Sequence, residues 1–347
     1  MKIIDYFNHD QKQKKYTYII AEVAQAHDGS LGIAHSFIDA IASTGVDAIK
    51  FQTHFADEES TPSEKFRVNF SYEDNTRFDY WKRMEFSENQ WRGLMKHSSE
   101  VGLEFLSSVF SDKAFDMMHH LGLQAWKFGS GEFFNTILLN KAIESKKPII
   151  LSTGMSKIIE IDEKLEYLIV NNSKFSMLQT TTMYPTPLNL IGLNIFDHFK
   201  SKNISNFGLS DHSGLITPSI VATSLGATMV EVHATFDKQM FGPDSSSSLD
   251  IKELKELVKQ IRNVDCILNS KVSKDSIVEN LKETKKIFTK GLYLKTDLNV
   301  GDEIKLENLI AKKPSMGISV DNVNDVIGKS VNKDLNKGDL LKWEDIL

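Results

Sequence analysis

The chain has 347 residues, 41% of them hydrophobic and 25% charged, which is ordinary for a soluble globular protein. Its formal net charge of -6 and its lack of a Lys/Arg-rich tract argue against a nucleic-acid scaffold. No apolar run approaches the roughly 20 residues that a bilayer requires, and the N-terminus is too polar for a signal peptide. We therefore expect neither nucleic acid nor a membrane among its partners.

The cysteine content bears on the compartment. Cys266 is the only cysteine, so an intrachain disulfide is excluded. A chain of this kind suits the reducing cytoplasm, which is the location we expect. Cys266 falls in a helical pattern with Ile261 and Leu268, and we expect its side chain to be packed.

Eight segments share one pattern, in which an apolar stretch ends in a reactive polar residue. They are 18–29, 48–53, 104–110, 125–132, 148–155, 175–185, 207–212 and 229–235. Helical patterns fit 31–45, 87–102, 112–122, 136–146, 158–172, 190–202, 216–226 and 249–264. Near-continuous apolar strands that alternate with helices predict a parallel sheet buried on both faces. Eight such units predict a (β/α)8 barrel with its site at the carboxyl ends of the strands.

The segment 54–86 is too long for an ordinary loop between a strand and a helix. It is rich in aromatic and cationic residues, among them Arg67, Arg77, Tyr80 and Trp81, and this aromatic content argues against disorder. The composition predicts a lid or a subunit contact. A surface ornament is the alternative for any single residue.

The rhythm of the sequence changes after about residue 285. Residues 297–309 (DLNVGDEIKLENL) recur as 334–346 (DLNKGDLLKWEDI), and two units of one design predict a small, separately folded module. We therefore expect a barrel over 1–270, a polar and partly helical linker over 271–286 and a small β-rich domain over 287–347.

Two lysines and several hydroxyl residues lie where the barrel strands end. Lys50 and Lys127 each sit inside an apolar strand, where a charged side chain is costly unless it is paired with an anion. One alternative is an internal salt bridge with Glu22 or Glu132. The hydroxyl residues at strand ends are Ser108, Ser130, Ser152 and Ser210, and any one of them alone would be only a helix cap. Together with the lysines they predict an anion-binding cup.

Two histidines suggest a metal site. His212 and His233 come from consecutive units, so their side chains can converge because strands seven and eight are neighbours in a barrel. Neutral imidazole binds divalent transition ions. Each histidine alone would more often be a satisfied core residue.

These residues belong to motifs that resemble those of the sialic acid synthase family over residues 17–347. The motifs are AEVAQAHDG (21–29), IKFQT (49–53), WKFGSGE (126–132), ILSTGM (150–155), YPTP (184–187), GLSDHSG (208–214), EVH (231–233) and GPD (242–244). The C-terminal repeat resembles the family's antifreeze-like (SAF) domain. The resemblance implies a (β/α)8 TIM barrel followed by a small β-rich SAF domain. It also implies a synthase that condenses phosphoenolpyruvate with an open-chain N-acyl amino sugar, giving a nine-carbon sialic or nonulosonic acid and phosphate.

The resemblance assigns a role to each matching residue. It implies catalytic roles for Glu22, Glu132, Lys50 and Lys127. It implies phosphoenolpyruvate binding by Lys50, Gln52, Ser108, Lys127, Ser130, Ser152, Thr182 and Ser210, and sugar binding by Gln52, Tyr184, Asp244 and Lys313. It implies that His212 and His233 hold a divalent metal, with Mn2+ expected and Mg2+ or Co2+ as alternatives. Asp211 could orient His212 or cap its loop.

Departures from the family pattern fall on the sugar side. Thr182 stands where relatives often have asparagine, and Lys313 stands where relatives have an arginine that reaches into a partner's barrel. That arrangement implies a domain-swapped homodimer. The expected acceptor is an N-acetylmannosamine-like sugar, and the alternative is a 6-deoxy diacetamido sugar of a legionaminate- or pseudaminate-type synthase. A two-histidine metal hydrolase and a non-catalytic sugar-binding barrel are further alternatives.

Overall fold

A computed structural model describes residues 1–9, 15–66 and 70–347. Within these ranges the chain divides into two units, Met1–Ser270 and Lys271–Leu347. The first unit holds the eight barrel strands. The second holds the sequence repeat.

Parallel strands of the first unit close into a barrel. They are β1 (Tyr18–Ala24), β2 (Ala48–Thr53), β3 (Glu104–Val109), β4 (Trp126–Phe128), β5 (Ile149–Ser152), β6 (Phe175–Thr180), β7 (Phe207–Asp211) and β8 (Met229–Thr235), followed by the short β9 (Leu249–Asp250). The strands pair in sequence order, and β1 also pairs with β8, which closes the sheet. This confirms the predicted (β/α)8 TIM barrel.

Helices surround the barrel and connect its strands. Those of the first unit are α1 (Ile3–Asn8), α2 (Leu31–Ala42), α3 (Ala56–Glu59), α4 (Arg77–Met84), α5 (Glu88–Glu100), α6 (Asp112–His120), α7 (Thr136–Glu144), α8 (Ile158–Val170), α9 (Ile195–Ser201), α10 (Thr217–Ser224) and α11 (Ile251–Asn269). Local sequence explains their start points, since Ser87 and Asp250 each form a capping box at α5 and α11.

Two apolar cores stabilise the barrel. The larger one fills the layer between strands and helices, and includes Phe37, Trp91 and Phe128. The smaller one fills the barrel interior and its amino-terminal end, where Tyr6 of α1 packs against Tyr18 and hydrogen-bonds Thr228 at 2.6 Å. Helix α1 therefore closes the end of the barrel opposite the predicted site.

Cys266 corrects one expectation, because its side chain is exposed. The buried face of α11 is formed by Leu254, Leu257, Ile261 and Asp265. Successive helical residues point about 100° apart, so the neighbour of the buried Asp265 turns away from the core.

The second unit contains short elements. They are α12 (Lys274–Asn280), α13 (Lys282–Phe288), β10 (Gly291–Leu294), β11 (Leu309–Lys312) and α14 (Val323–Val326). Helices α12 and α13 occupy most of the interval that the sequence analysis treated as a linker. The two repeat copies pair through Leu298 and Leu335, both of which lie in the small core of this unit.

Among the described helices, none combines the length and the apolar character that a membrane span needs.

Gly208 of β7 lies so close to β8 that a Cβ atom would overlap the carbonyl oxygen of Met229. We expect Gly208→Ala to lower the free energy of unfolding by about 1–3 kcal/mol, because the barrel must open locally to admit the methyl group. Gly93→Ala is the matched control, since Gly93 lies in α5 with open space around its Cα, and alanine there should stabilise by about 0.5–1 kcal/mol. Denaturant unfolding measures both, and equal stability of the two variants would contradict the packing described.

Candidate active site

A cavity of about 670 Å³ opens at the carboxyl ends of the barrel strands. The sequence-predicted residues that line it are Glu22, Lys50, Gln52, Ser108, Lys127, Ser130, Glu132, Ser152, Thr182, Tyr184, Ser210, His212, His233 and Asp244. Lys313 lies in the second unit, where its ammonium group is 5.4 Å from the centre of the Phe288 ring.

Strand alternation explains why polar side chains of β2 face the cavity. Ile49 and Phe51 point outward into the core beneath the helices, whereas Ala48 points into the barrel interior. Side chains alternate along a strand, so Lys50 and Gln52 must also point inward. The sequence of β2 is apolar apart from these two residues, and the alternation places both of their side chains in the cavity.

The same alternation in β8 brings in a residue that the sequence analysis missed. Val230 and Val232 point outward and Met229 points inward, so Glu231 and His233 share the inner face. Glu231 lines the cavity. Glu231 lies two residues before His233 in the same strand, and this spacing could have predicted that both side chains face the cavity.

Four buried charges form a cluster at the floor of the cavity. Lys50 makes a close ion pair with Glu22 and lies 3.7 Å from Glu231. Lys127 lies 3.4 Å from the other oxygen of Glu231, which also accepts a hydrogen bond of 3.0 Å from Ser210. All four charged side chains are at most 5% exposed. The internal pairing with Glu22 considered from the sequence is therefore present, and Glu231 joins the two lysines.

Hydroxyl groups surround the two ammonium groups. Lys50 donates to Ser108 at 3.2 Å, and Lys127 donates to Ser152 at 2.9 Å. Ser108 lies near the end of β3 and Ser152 ends β5, and each of these strands pairs directly with the strand that carries the lysine. Serine hydroxyls can rotate. When a bound anion accepts from the lysine in place of the serine, the serine hydroxyl can turn and donate to the same anion.

A second group of hydroxyls depends on Gly154. Its backbone N–H donates to Ser130 Oγ at 3.0 Å, and a Cβ atom on this residue would overlap the hydroxyls of both Ser130 and Thr182. The Thr182 hydroxyl is buried and has no hydrogen-bond partner among the described residues. A buried hydroxyl that faces a cavity is a donor available to a ligand.

The charges of the cluster titrate in opposite directions. Burial raises the pKa of Glu22 to about 7, against the opposing effect of Lys50. Burial would also raise the pKa of Glu231, but Lys127 and Lys50 together hold it well below its usual value. Burial lowers the pKa of Lys127, whereas two carboxylates outweigh burial and raise the pKa of Lys50. In this cluster Glu231 stays ionised between the two lysines. Glu22, beside it, changes its charge near pH 7.

The two histidines lie together at the cavity wall, with ring centres 5.3 Å apart. Burial lowers the pKa of His212 to about 4, and burial together with His212 lowers the pKa of His233. Both rings are therefore neutral near pH 7. His212 Nδ1 lies 3.1 Å from the carbonyl oxygen of Thr181, which can only accept, so Nδ1 carries the proton and Nε2 keeps its lone pair. This donor set fits a divalent metal, because a fixed neutral imidazole is a ligand that such ions bind.

Tyr184 and Asp244 complete this side of the cavity. The Tyr184 ring stacks on His212 with centres 4.2 Å apart, and its hydroxyl lies 3.3 Å from His212 Nε2. Asp244 lies 3.9 Å from His233 Nδ1. No group of three or more His, Cys, Asp or Glu side chains among the described residues is arranged to hold a metal.

Asp211 and Glu132 take different positions. Asp211 accepts from the backbone N–H and the hydroxyl of Ser213, at 3.0 and 2.8 Å, so it caps its own loop as one of the two alternatives proposed. Glu132 accepts from the Asn135 side chain at 2.6 Å, and burial raises its pKa. It makes no ion pair with a lysine in the described part of the chain.

The segment predicted as a lid forms one wall of the cavity. Glu59, Glu64, Arg77 and Trp81 of this segment line the cavity. Arg67, which was named as part of the same segment, lies outside the described residues. These residues line the cavity, so the segment is not simply a loop on the outer surface.

The fold and this cavity define a TIM-barrel enzyme with a small C-terminal domain, and both domains match known families. A model of the NeuB family matches residues 37–273, and a model of the SAF domain matches residues 289–347. The chain therefore belongs to the NeuB family.

Named relatives extend this assignment. The N,N'-diacetyllegionaminic acid synthase of Campylobacter jejuni is 34% identical, over 94% of this chain and 99% of its own. The pseudaminic acid synthase of the same species is 30% identical, over 98% of each chain. The crystal structure of an N-acetylneuraminic acid synthetase from Leptospira borgpetersenii is 27% identical, with a TM-score of 0.68, and covers 77% of this chain and 92% of that one.

These comparisons confirm the predicted family, the barrel followed by a SAF domain, and the class of acid synthase. The names of these relatives describe synthases of legionaminic and pseudaminic acids. These are the two acid types that the sequence analysis gave as the alternative product. A metal hydrolase and a non-catalytic barrel receive no support from them.

The raised pKa of Glu22 generates a testable pH dependence. Folded protein keeps a proton on this carboxyl where the unfolded chain, with the ordinary value of 4.5, has lost it. Glu22 therefore lowers stability progressively as the pH rises from about 4.5 to about 7. We expect Glu22→Gln to lack this loss, so the stability difference, variant minus wild type, should increase over that range. Urea unfolding at a series of pH values measures the difference, and a constant difference would mean that Glu22 is ionised in the folded state.

Proposed function

We propose that this protein condenses phosphoenolpyruvate with the open-chain aldehyde form of an N-acyl amino sugar, giving a nine-carbon acid and phosphate. The observation that carries the proposal is the convergence of Lys50 and Lys127 with at least four hydroxyl groups on one cavity, beside two neutral histidines. Membership of a family whose named relatives are acid synthases supports it.

The lysine and serine side chains bind the donor in this proposal. Phosphoenolpyruvate carries a carboxylate and a phosphate, and both need cations and hydrogen-bond donors in a site that excludes water. Lys50 and Lys127 neutralise these groups, while Ser108, Ser152 and Ser210 turn their hydroxyls toward them. The remaining donors in this role are Gln52, Ser130 and Thr182.

The acceptor binds beside the donor in the same cavity in this proposal. Tyr184, Asp244 and Gln52 hold its hydroxyl and amide groups, and Lys313 contributes from a small domain. A divalent ion held by His212 and His233 would supply a Lewis acid that polarises the aldehyde oxygen. Mn2+ suits imidazole and oxygen ligands and is the ion we propose, with Mg2+ and Co2+ as alternatives.

The reaction is balanced without an oxidant or reductant. Carbon 3 of phosphoenolpyruvate forms a bond to the aldehyde carbon, and the aldehyde oxygen takes up a proton. Water adds to carbon 2 as Glu132 or Glu22 accepts its proton, and cleavage of the carbon–oxygen bond then releases phosphate. The pKa of Glu22, which burial raises to about 7, suits proton transfer near neutral pH, and burial raises the pKa of Glu132 in the same direction.

We also propose which sugar is the acceptor. A diacetamido sugar of the legionaminate type is favoured by the relative at 34% identity, and the pseudaminate type is the next candidate. N-Acetylmannosamine, the acceptor first expected from the family resemblance, remains the reference substrate. The single cysteine is compatible with action in the cytoplasm.

Phosphate release from phosphoenolpyruvate tests the reaction directly. Purified protein is incubated with phosphoenolpyruvate and a panel of N-acylated hexosamines, with and without a chelator. We expect phosphate and a nine-carbon acid in equal amounts, with turnover lost in chelator and restored by Mn2+. Phosphoenolpyruvate hydrolysis that is independent of every sugar would overturn the proposal.

His233→Ala tests the role given to the histidines. We expect turnover to fall below detection at any Mn2+ concentration, because one of two protein ligands is lost. Circular dichroism should show an intact fold, and Mn2+ titration should show weakened binding. Full activity of this variant in chelator would refute the metal role.

We further propose a domain-swapped homodimer in which the partner's Lys313 completes the sugar site. Large apolar side chains that follow β4 and β5 are solvent-exposed beside the cavity mouth, including Phe134, Met155 and Ile159. Exposed apolar groups of this size often mark an interface.

Ile159→Asp should dissociate this dimer, and Lys313→Ala should remove the shared side chain. Light scattering should give twice the 39.3 kDa chain mass for wild type and a single chain mass for Ile159→Asp. Both variants should raise KM for the sugar about tenfold or more, with little change for phosphoenolpyruvate. A monomeric Ile159→Asp variant with wild-type KM would rule out a shared site.

A further inference from the structure

His54 occupies a tightly defined place between the barrel and the lid segment. Its ring lies between Trp81 of α4 and Phe110, which follows β3, with ring centres 4.1 and 4.6 Å away and nearly parallel planes. Its edge meets Gln25 at 2.7 Å and Gln52 at 3.1 Å. The ring therefore cannot turn without breaking two stacks and a hydrogen-bond network.

The other edge of His54 fixes a carboxylate of α3. His54 Nδ1 lies 2.5 Å from Glu59 Oε1, and a carboxylate oxygen accepts, so Nδ1 donates. The Glu59 side chain is 7% exposed and lines the cavity. One oxygen of Glu59 is thereby committed to the histidine.

The second oxygen of Glu59 is buried and has no hydrogen-bond partner among the residues that the structure describes. A buried carboxylate oxygen without a donor is costly, so its presence in a cavity wall points to a donor on a bound ligand. The position is close to the reacting groups, because Glu59 is near enough to Glu132 to contribute to raising the pKa of that carboxyl.

The surroundings of Glu59 restrict the chemistry of that donor. A carboxylate repels an anionic group, and Arg77, a cation of the 54–86 segment that also lines the cavity, is already paired with Glu64 at 2.9 Å. Trp81 and Phe110 line the same part of the cavity and offer apolar surface. A neutral group with an N–H donor and an attached methyl fits both features, and an acylamino group is such a group.

We propose that Glu59, held by His54, binds the second acylamino group of a diacylamino sugar acceptor by accepting a hydrogen bond from its N–H. This inference rests on the function proposed above and narrows the acceptor to sugars with two acylamino groups. Glu59 thereby becomes a specificity-determining residue, and His54 a positioning residue that acts through it.

The test compares two acceptors that differ only in this group. One is 2,4-diacetamido-2,4,6-trideoxymannose, and the other is 2-acetamido-2,4,6-trideoxymannose, which has hydrogen at carbon 4. We expect Glu59→Ala to lower kcat/KM for the first sugar about 10- to 100-fold, since a hydrogen bond to a charged group is lost. The second sugar should change less than about threefold, and KM for phosphoenolpyruvate should stay the same. His54→Phe, which keeps a stacked ring but loses its contact with Gln52 as well, should lose the same discrimination between the two sugars, in addition to any loss that both sugars share.

Two further variants separate loss of the proposed contact from misfolding and from a general loss of activity. Glu59→Gln preserves shape and retains an acceptor oxygen, so it should recover part of the selectivity that Glu59→Ala loses. Glu64→Ala is the matched control, because Glu64 is another lid carboxylate that lines the cavity, and it should not discriminate between the two sugars. Equal losses for both sugars in Glu59→Ala would overturn the subsite and leave Glu59 as a support for His54. Failure of wild-type protein to use either sugar while it still turns over N-acetylmannosamine would also overturn the subsite. Failure with every sugar of the hexosamine panel would instead overturn the proposed function.

Discussion

The buried carboxylate of Glu231 between Lys50 and Lys127 is the interaction on which the rest of the site depends. Two ammonium groups inside a barrel would repel each other and shed their protons if no anion were present. Glu231 lies within ion-pair distance of both lysines and opposes the loss of their protons, together with Glu22 at Lys50. The free protein thus already has, in place, the cations that an anionic substrate would need.

This arrangement suits the donor in the proposed reaction. Lys50 and Lys127 reach the cavity from neighbouring parts of its floor, so they can contact two anionic groups of one molecule. A donor with both carboxylate and phosphate can engage both lysines and several hydroxyls at once. The neutral histidines and the carboxylates of the 54–86 segment line the same cavity, and in the proposed reaction they serve the acceptor.

The sequence was sufficient for the barrel, the family and most of the cavity lining, because strand ends in a closed parallel barrel must meet at one face. It was less informative where function depends on side-chain partners. Glu231 was missed although EVH was recognised, since nothing in the spacing says which carboxylate will pair with which lysine. His54 and Glu59 were missed because their importance comes from contacts with Trp81 and Phe110, which are distant in the chain. Cys266 was placed wrongly because a helical pattern alone leaves the exact face uncertain by one residue.

The central claim is that Lys50 and Lys127 bind phosphoenolpyruvate, and calorimetric titration of this donor in the absence of sugar and metal tests it most directly. The account predicts saturable binding to wild type with one donor per chain, and about 100-fold weaker binding to Lys127→Met, since a buried charge pair with the donor is lost. Equal affinity of the two proteins for phosphoenolpyruvate would contradict the account.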